Sequence, residues 1–176
     1  VQYRSLDLTG LEAPEPHLEA LCDEHTRLIA VSSVQYARGL RLDLPRLGDA
    51  CRRRGILFCV DAIQSLGAIP FDLERTHADF VVADGHKWML GPEGIALLYV
   101  NPAIRASLVL QQYGWHMVEH PGDYDRKDWS PSPTATRFEC GSPNMLGIHA
   151  LEASLSLLQQ VGMDTVEAAI QDRVTR

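Results

Sequence analysis

Two short unbroken apolar runs stand out along the chain, LIAVSSV from Leu28 to Val34 and ILFCVDA from Ile56 to Ala62. Runs of that length without polar alternation predict strands buried on both faces. In the LDLPRL stretch between them, Asp43 is placed to cap a helix with Pro45 in its first turn, running to Arg54 and stopped by Gly55. A third run, DFVVADG from Asp79 to Gly85, and a fourth, Ile95 to Val100, predict two further strands, with a turn or helical crossover through Leu66 and Phe71 leading to the third. Ahead of this core, Thr9-Gly10 marks a turn after a short opening strand. Leu18, Leu21 and Cys22 give helical spacing from about Glu15 to His25.

Beyond the core the pattern breaks. Residues 111 to 137 interleave Gly114, Pro121, Gly122, Pro131 and Pro133 with Trp115, Tyr124 and Trp129, which predicts a long irregular segment of the functional or interfacial kind. From Leu146 to Gln160, Leu151, Leu155 and Leu158 share one face and predict an amphipathic helix ending near Gly162. Asp164 with Glu167 has the spacing of a capping box for one more helix.

Strand, helix, strand and crossover in alternation predict an α/β fold with a mostly parallel sheet and helices on both faces. Ligands of such sheets sit at the C-terminal ends of the strands. The residues to weigh are therefore Ser33 to Tyr36, Asp61 to Gln64, and Asp84 to Lys87.

Composition narrows the chemistry. The chain has 176 residues, 45% of them hydrophobic, enough for one domain with a sizeable core. A net charge of -7, with arginines clustered only at Arg38 with Arg41 and at Arg52 to Arg54, argues against nucleic acid and against a polybasic membrane surface. The Arg52 to Arg54 cluster suits a helix C-terminus. The four cysteines form no CxxC pair and no metal-like cluster with the seven histidines, so a reducing cytoplasm is expected, without disulfide scaffold or zinc. No apolar run is long enough to span a bilayer and no signal-peptide pattern is present. The chain opens at Val1 in mid-pattern and closes at Arg176 inside an apparent helix, so it is expected to be an internal piece of a longer protein. Isolated, such a piece is expected to fold poorly, with sheet edges and an apolar face exposed.

Fourteen of the sixteen basic residues are arginine, and one of the two lysines, Lys87, lies between an apolar strand and an apolar loop. Guanidinium supplies charge, whereas an amine in a desolvated position has a lowered pKa and forms an imine with an aldehyde. A strand-end lysine reaching water is the ordinary alternative, and its neighbours decide. A pyridinium cofactor with an aldehyde and a phosphate needs an amine, a carboxylate at its ring nitrogen, a donor to its ring oxygen and donors to its phosphate. Lys87, Asp61, Gln64 and His86 supply these groups at successive strand ends.

VDAIQSLGAIPFDL followed by DFVVADGHKWMLGPEGIALLYV resembles the core signature of the class V, cysteine-desulfurase-like, aminotransferase family, and RFECGSPNMLGIHALEASLSLLQQVG resembles that family's later segment. The resemblance implies the fold type I large domain of a pyridoxal-5'-phosphate enzyme, partial over residues 1–162, with residues 163–176 leading toward a C-terminal domain. It implies Lys87 as the Schiff-base lysine (the internal aldimine), Asp61 at the pyridine nitrogen, Gln64 at the ring oxygen and His86 beside the phosphate. It also implies a homodimer in which the Gly141-Ser142 turn reaches the other subunit's cofactor. A Gly-Ser-Pro turn opening a helix is a plausible anion site, and Ser142 equally suits an ordinary helix N-cap.

The chain departs from the family at Asp84, a cofactor-side position where many relatives carry a serine or threonine; its charge repels a phosphate unless offset. Ser33 or Gln35 falls where relatives often place an asparagine near the substrate. The expected activity is on an amino acid, as an aminotransferase or epimerase-like enzyme. Cysteine desulfurase or selenocysteine lyase is the alternative, with Cys140 misplaced for its nucleophile. A non-catalytic protein retaining the fold ranks third, and the absence of GxGxxG excludes a dinucleotide-binding domain.

Overall fold

A computed structural model describes residues 2–175. The elements follow in the order α1 (Glu15–Ala20), β1 (Leu28–Ser32), α2 (Leu44–Arg54), β2 (Leu57–Asp61), α3 (Leu73–Thr76), β3 (Phe80–Asp84), β4 (Ala96–Val100), α4 (Pro102–Arg105), a 3-10 turn (Ala135–Phe138), α5 (Met145–Val161) and α6 (Met163–Val174). The four strands form one sheet in the order β1-β2-β3-β4. β1, β2 and β3 run parallel and β4 returns antiparallel along β3. The fold is therefore α/β with a mostly parallel sheet, and each strand lies inside its predicted run.

Local chemistry explains the element ends. The Asp43 carboxylate accepts from the Arg46 N–H at 3.1 Å and caps α2, while Gly55 closes it in the left-handed conformation at φ 64°. Arg54 in the last turn donates to the carbonyls of Glu19 and Cys22, tying α2 to the end of α1. α1 stops at Ala20, short of the expected His25. Asp23 instead accepts from the His25 N–H at 2.9 Å and Thr26 Oγ1 accepts from the Asp23 N–H at 2.9 Å, a side-chain turn that competes with helix. Residues 2–8 form no strand; Arg4 pairs there with Asp23 and bonds the Leu21 carbonyl.

Two predicted caps are not formed. α6 starts directly after Gly162, so Asp164 lies inside its first turn and caps nothing, and Glu167 accepts from Arg41 at 2.8 Å. α5 is capped by Asn144 rather than Ser142: its Oδ1 accepts from the Gly147 N–H at 3.0 Å, and its Nδ2 donates to the Gly94 carbonyl at 3.1 Å.

The core lies on one face of the sheet. Phe58 and Val60 of β2, with Val81 and Ala83 of β3, pack with Leu44, Leu47 and Cys51 of α2, with Met89, and with Leu151 of α5. Each fully buried large apolar side chain contributes about 1.5–3 kcal/mol. On the opposite face Leu28, Ala30, Val82 and Leu98 are exposed. Among the described residues, therefore, the buried helical cover expected on both faces lies on one.

Residues 106–134 are irregular apart from a bridge between Val118 and Pro131. Aromatic contacts order them, with Tyr113 edge-on to Trp129 at 5.4 Å and Trp115 against His116 at 4.1 Å. Arg137, at the end of this segment, is buried, and its Nε has no hydrogen-bond partner among the described residues.

Candidate active site

Asp61 and Asp84 terminate neighbouring parallel strands and lie on the open face, because Asp61 is registered with Val82 and Asp84 follows two residues later. Asp61 is half-buried and held from two sides. Its Oδ1 accepts from the Ile63 N–H at 2.9 Å and its Oδ2 from the Ser32 hydroxyl at 3.3 Å. Beneath it the buried hydroxyls of Ser33 and Ser65 are 2.7 Å apart, joining the end of β1 to the turn at 62–69.

After β3 the chain folds into a tight loop. The Gly85 N–H donates to Ile95 and the Gly91 N–H to Gly85, each at 2.8 Å, closing the segment that carries His86, Lys87 and Trp88. Leu90 within it adopts φ 58°, a strained conformation for a side chain branched at Cγ and one that the closed loop imposes. The 62–69 turn presses on this loop at Gly67, where φ is 91° and a Cβ would lie 2.2 Å from the Trp88 carbonyl oxygen. Glycine is required there both for its backbone angle and for the close approach. Across the same junction the Trp88 indole N–H donates to Gln64 Oε1 at 2.9 Å.

The structure thus brings Asp61, Gln64, Asp84, His86 and Lys87 to one end of the sheet, on two interlocked turns. It differs from the sequence reading on Lys87. The lysine is exposed rather than desolvated, although Met89, two residues on in the same loop, is buried in the core. Lys87, His86 and Asp84 make no side-chain hydrogen bond or ion pair among the described residues, which leaves their polar atoms available to a ligand. Ser142 is exposed, two residues ahead of the cap of α5. Ser33 is turned inward, and Gln35 closes its own turn by accepting from the N–H groups of Ala37 and Arg38, so both are engaged within the chain. A cleft of about 470 Å3 lined by Ser33, Arg41, Asp43, Phe71 and Arg75 contains none of Asp61, Gln64, Asp84, His86 and Lys87.

Cys59 lies on β2 two residues before Asp61, and Cys51 lies on α2, toward the start of β3. Burial pushes the Cys51 thiol up to about 12, and burial with the neighbouring Asp61 charge raises Cys59. Neither has the thiolate character of a nucleophile. Among the described residues no group of His, Cys, Asp and Glu is placed to hold a metal ion.

The model of the family described as aminotransferase class-V matches residues 1–175. The chain belongs to the class V aminotransferase family. A probable cysteine desulfurase of Borreliella burgdorferi is 32% identical over 158 residues, which is 89% of this chain and 37% of that protein. YcbU of Bacillus subtilis, described as an uncharacterized aminotransferase, is 31% identical over 89% of this chain and 40% of its own length. Among solved structures, a C-DES mutant with glycine covalently linked to its PLP cofactor matches with a TM-score of 0.77 and 26% identity, covering 90% of this chain and 41% of that one. The chain spans about two fifths of the length of these relatives.

Class V enzymes depend on pyridoxal phosphate, and the donor set at the strand ends fits that group. An amine, a carboxylate and an amide match its aldehyde, ring nitrogen and ring oxygen. A phosphate placed beside this loop would be repelled by the Asp84 carboxylate and would accept from the His86 ring. Trp88 had gone unremarked in the sequence; its bond to Gln64 spans 24 residues and no local pattern announces it.

Proposed function

We propose that the protein containing this chain is a pyridoxal-5'-phosphate-dependent enzyme that acts on an amino acid, as an aminotransferase or an epimerase-like enzyme. The observation that carries the reading is the convergence of Lys87, Asp61 and Gln64 on one end of a parallel sheet. When bound, the cofactor supplies an aldehyde that captures an amine and a cationic ring that withdraws electrons from the substrate α-carbon.

Asp61 holds a proton on the ring nitrogen. Its two hydrogen bonds, from Ile63 and Ser32, fix the orientation of the carboxylate. Gln64 donates its amide hydrogen to the ring oxygen. Lys87 would hold the cofactor through its aldehyde and, once freed by the substrate amine, would serve as the base and acid that moves a proton at the substrate α-carbon. The exposed loop end gives its amine room to move between these positions. His86 lies beside the phosphate. The Gly141-Ser142 turn of a second copy donates backbone and hydroxyl hydrogens to that phosphate, so the active form is a homodimer.

Cysteine desulfuration is the second reading, favoured by the description of the Borreliella burgdorferi relative. Its nucleophilic thiol would be neither Cys51 nor Cys59, whose thiols burial disfavours as thiolates, and Cys140 is misplaced for the role. The test uses full-length protein. A visible absorbance band bleached by borohydride supports the cofactor reading, and no band in wild type, or an unchanged band in Lys87→Ala, contradicts it. A panel of amino acids then separates the chemistries: transfer of the amine or loss of stereochemical purity supports the first reading, and sulfide from cysteine supports the second.

A further inference from the structure

We infer that Trp88 is a positioning residue that fixes which end of the Gln64 amide faces the cofactor; the inference rests on the cofactor reading above. A glutamine amide is ambivalent, with an acceptor oxygen and a donor nitrogen on the same flat group, and a half-turn about its last bond exchanges them. The partner resolves the choice. An indole N–H can only donate, so the atom 2.9 Å from Trp88 Nε1 must be the Gln64 oxygen, Oε1. The amide nitrogen is then the end left over for a ligand, and it is a donor. A ring oxygen bearing negative charge needs a donor and is repelled by a carbonyl oxygen.

The geometry makes this more than incidental packing. Trp88 is 41% exposed, so its ring is not a core filler, and its indole nitrogen is spent on Gln64. It follows Lys87 directly, so one loop places the imine-forming amine and also sets the orientation of the amide. Its carbonyl lies against Gly67, and that contact holds the two turns at the spacing the side-chain bond requires. Loss of the indole donor lets the amide rotate, and the cofactor's oxygen then meets donor and acceptor in turn.

The test is a pH titration of the visible band in the full-length, cofactor-loaded protein. A donor to the ring oxygen stabilises its negative charge most when the adjoining nitrogen is unprotonated, which lowers the midpoint of the band. Trp88→Phe keeps an aromatic ring and removes the donor, and it raises the midpoint by about half a pH unit or more, given that a hydrogen bond to a charged group is worth roughly one unit or above. Gln64→Ala raises the midpoint as well, and Trp88→Phe adds nothing in the Gln64→Ala background. An unchanged midpoint in Trp88→Phe, or equal shifts in both backgrounds, overturns the inference. So does loss of the cofactor in Trp88→Phe while Gln64→Ala retains it, which would make the tryptophan a structural support. Absence of any band in the wild type would instead remove the cofactor reading itself.

Discussion

The two faces of the sheet are made from the same strands by simple alternation, and they have opposite fates. Ile29, Val31, Phe58, Val60, Val81 and Ala83 point to the side covered by α2 and α5, and this side is the core. Leu28, Ala30, Ser32, Asp61, Val82 and Asp84 point to the other, and all of them but Ser32 and Asp61 are exposed. The covered face fixes where the strands end, and the open face carries the carboxylates at those ends. Stability and chemistry are thus separated by a single residue of strand register, since a one-residue slip would bury Asp61 in the core and expose Phe58.

The sharpest way to break this comparison is on the covered face. Phe58 is fully buried, and Phe58→Ala is expected to cost about 3–5 kcal/mol in urea unfolding of the full-length protein. A loss under 1 kcal/mol would mean that the core lies elsewhere. At the junction of the faces, Gly67→Ala forces a Cβ against the Trp88 carbonyl in a left-handed backbone, and is expected to cost about 2 kcal/mol or more and to weaken cofactor binding. On the open face the expected effect is association rather than unfolding. The chain expressed alone should self-associate in sedimentation, and Val82→Lys with Leu98→Lys should shift it toward monomer with a stability change under about 0.5 kcal/mol. A monomeric, cooperatively melting parent chain would contradict that expectation.

The smallest effect is far from both faces. The Arg4 guanidinium holds the partly buried Asp23 carboxyl down to about 2. Because the folded value is depressed, its contribution is present above the ordinary value near 3.8 and is lost as pH falls through that window toward 2. Asp23→Asn should therefore lower the melting temperature slightly at neutral pH and converge with the parent as pH falls toward about 2, flattening the acid limb; an equal effect at both would contradict the pairing.

Much of the fold was legible because its signals are local. The strand runs, the Asp43 cap and the Gly55 stop each follow from a few adjacent residues; the cap and the stop lie where predicted, and each strand lies inside its run, β1 ending two residues short. What was misread depended on competition. Ser142 and Asn144 are equally good cap residues, and the bond from Asn144 to Gly94, fifty residues away, gives the position to Asn144. Glu167 had the spacing to cap α6 but found Arg41, 126 residues distant. The strand-end residues were legible because parallel topology gathers strand ends. The exposure of Lys87 was not, since apolar neighbours in sequence say nothing of which way a loop turns.

The central claim is that Lys87, on the open end of the sheet, is the amine that holds the cofactor. Borohydride reduction of the full-length protein loaded with pyridoxal phosphate, followed by peptide mass mapping, tests it directly. The account predicts a reduced pyridoxyl phosphate group on the peptide containing Lys87 and on no other in stoichiometric amount. A label on Lys127 or on a lysine outside this chain, with Lys87 unmodified, would contradict it.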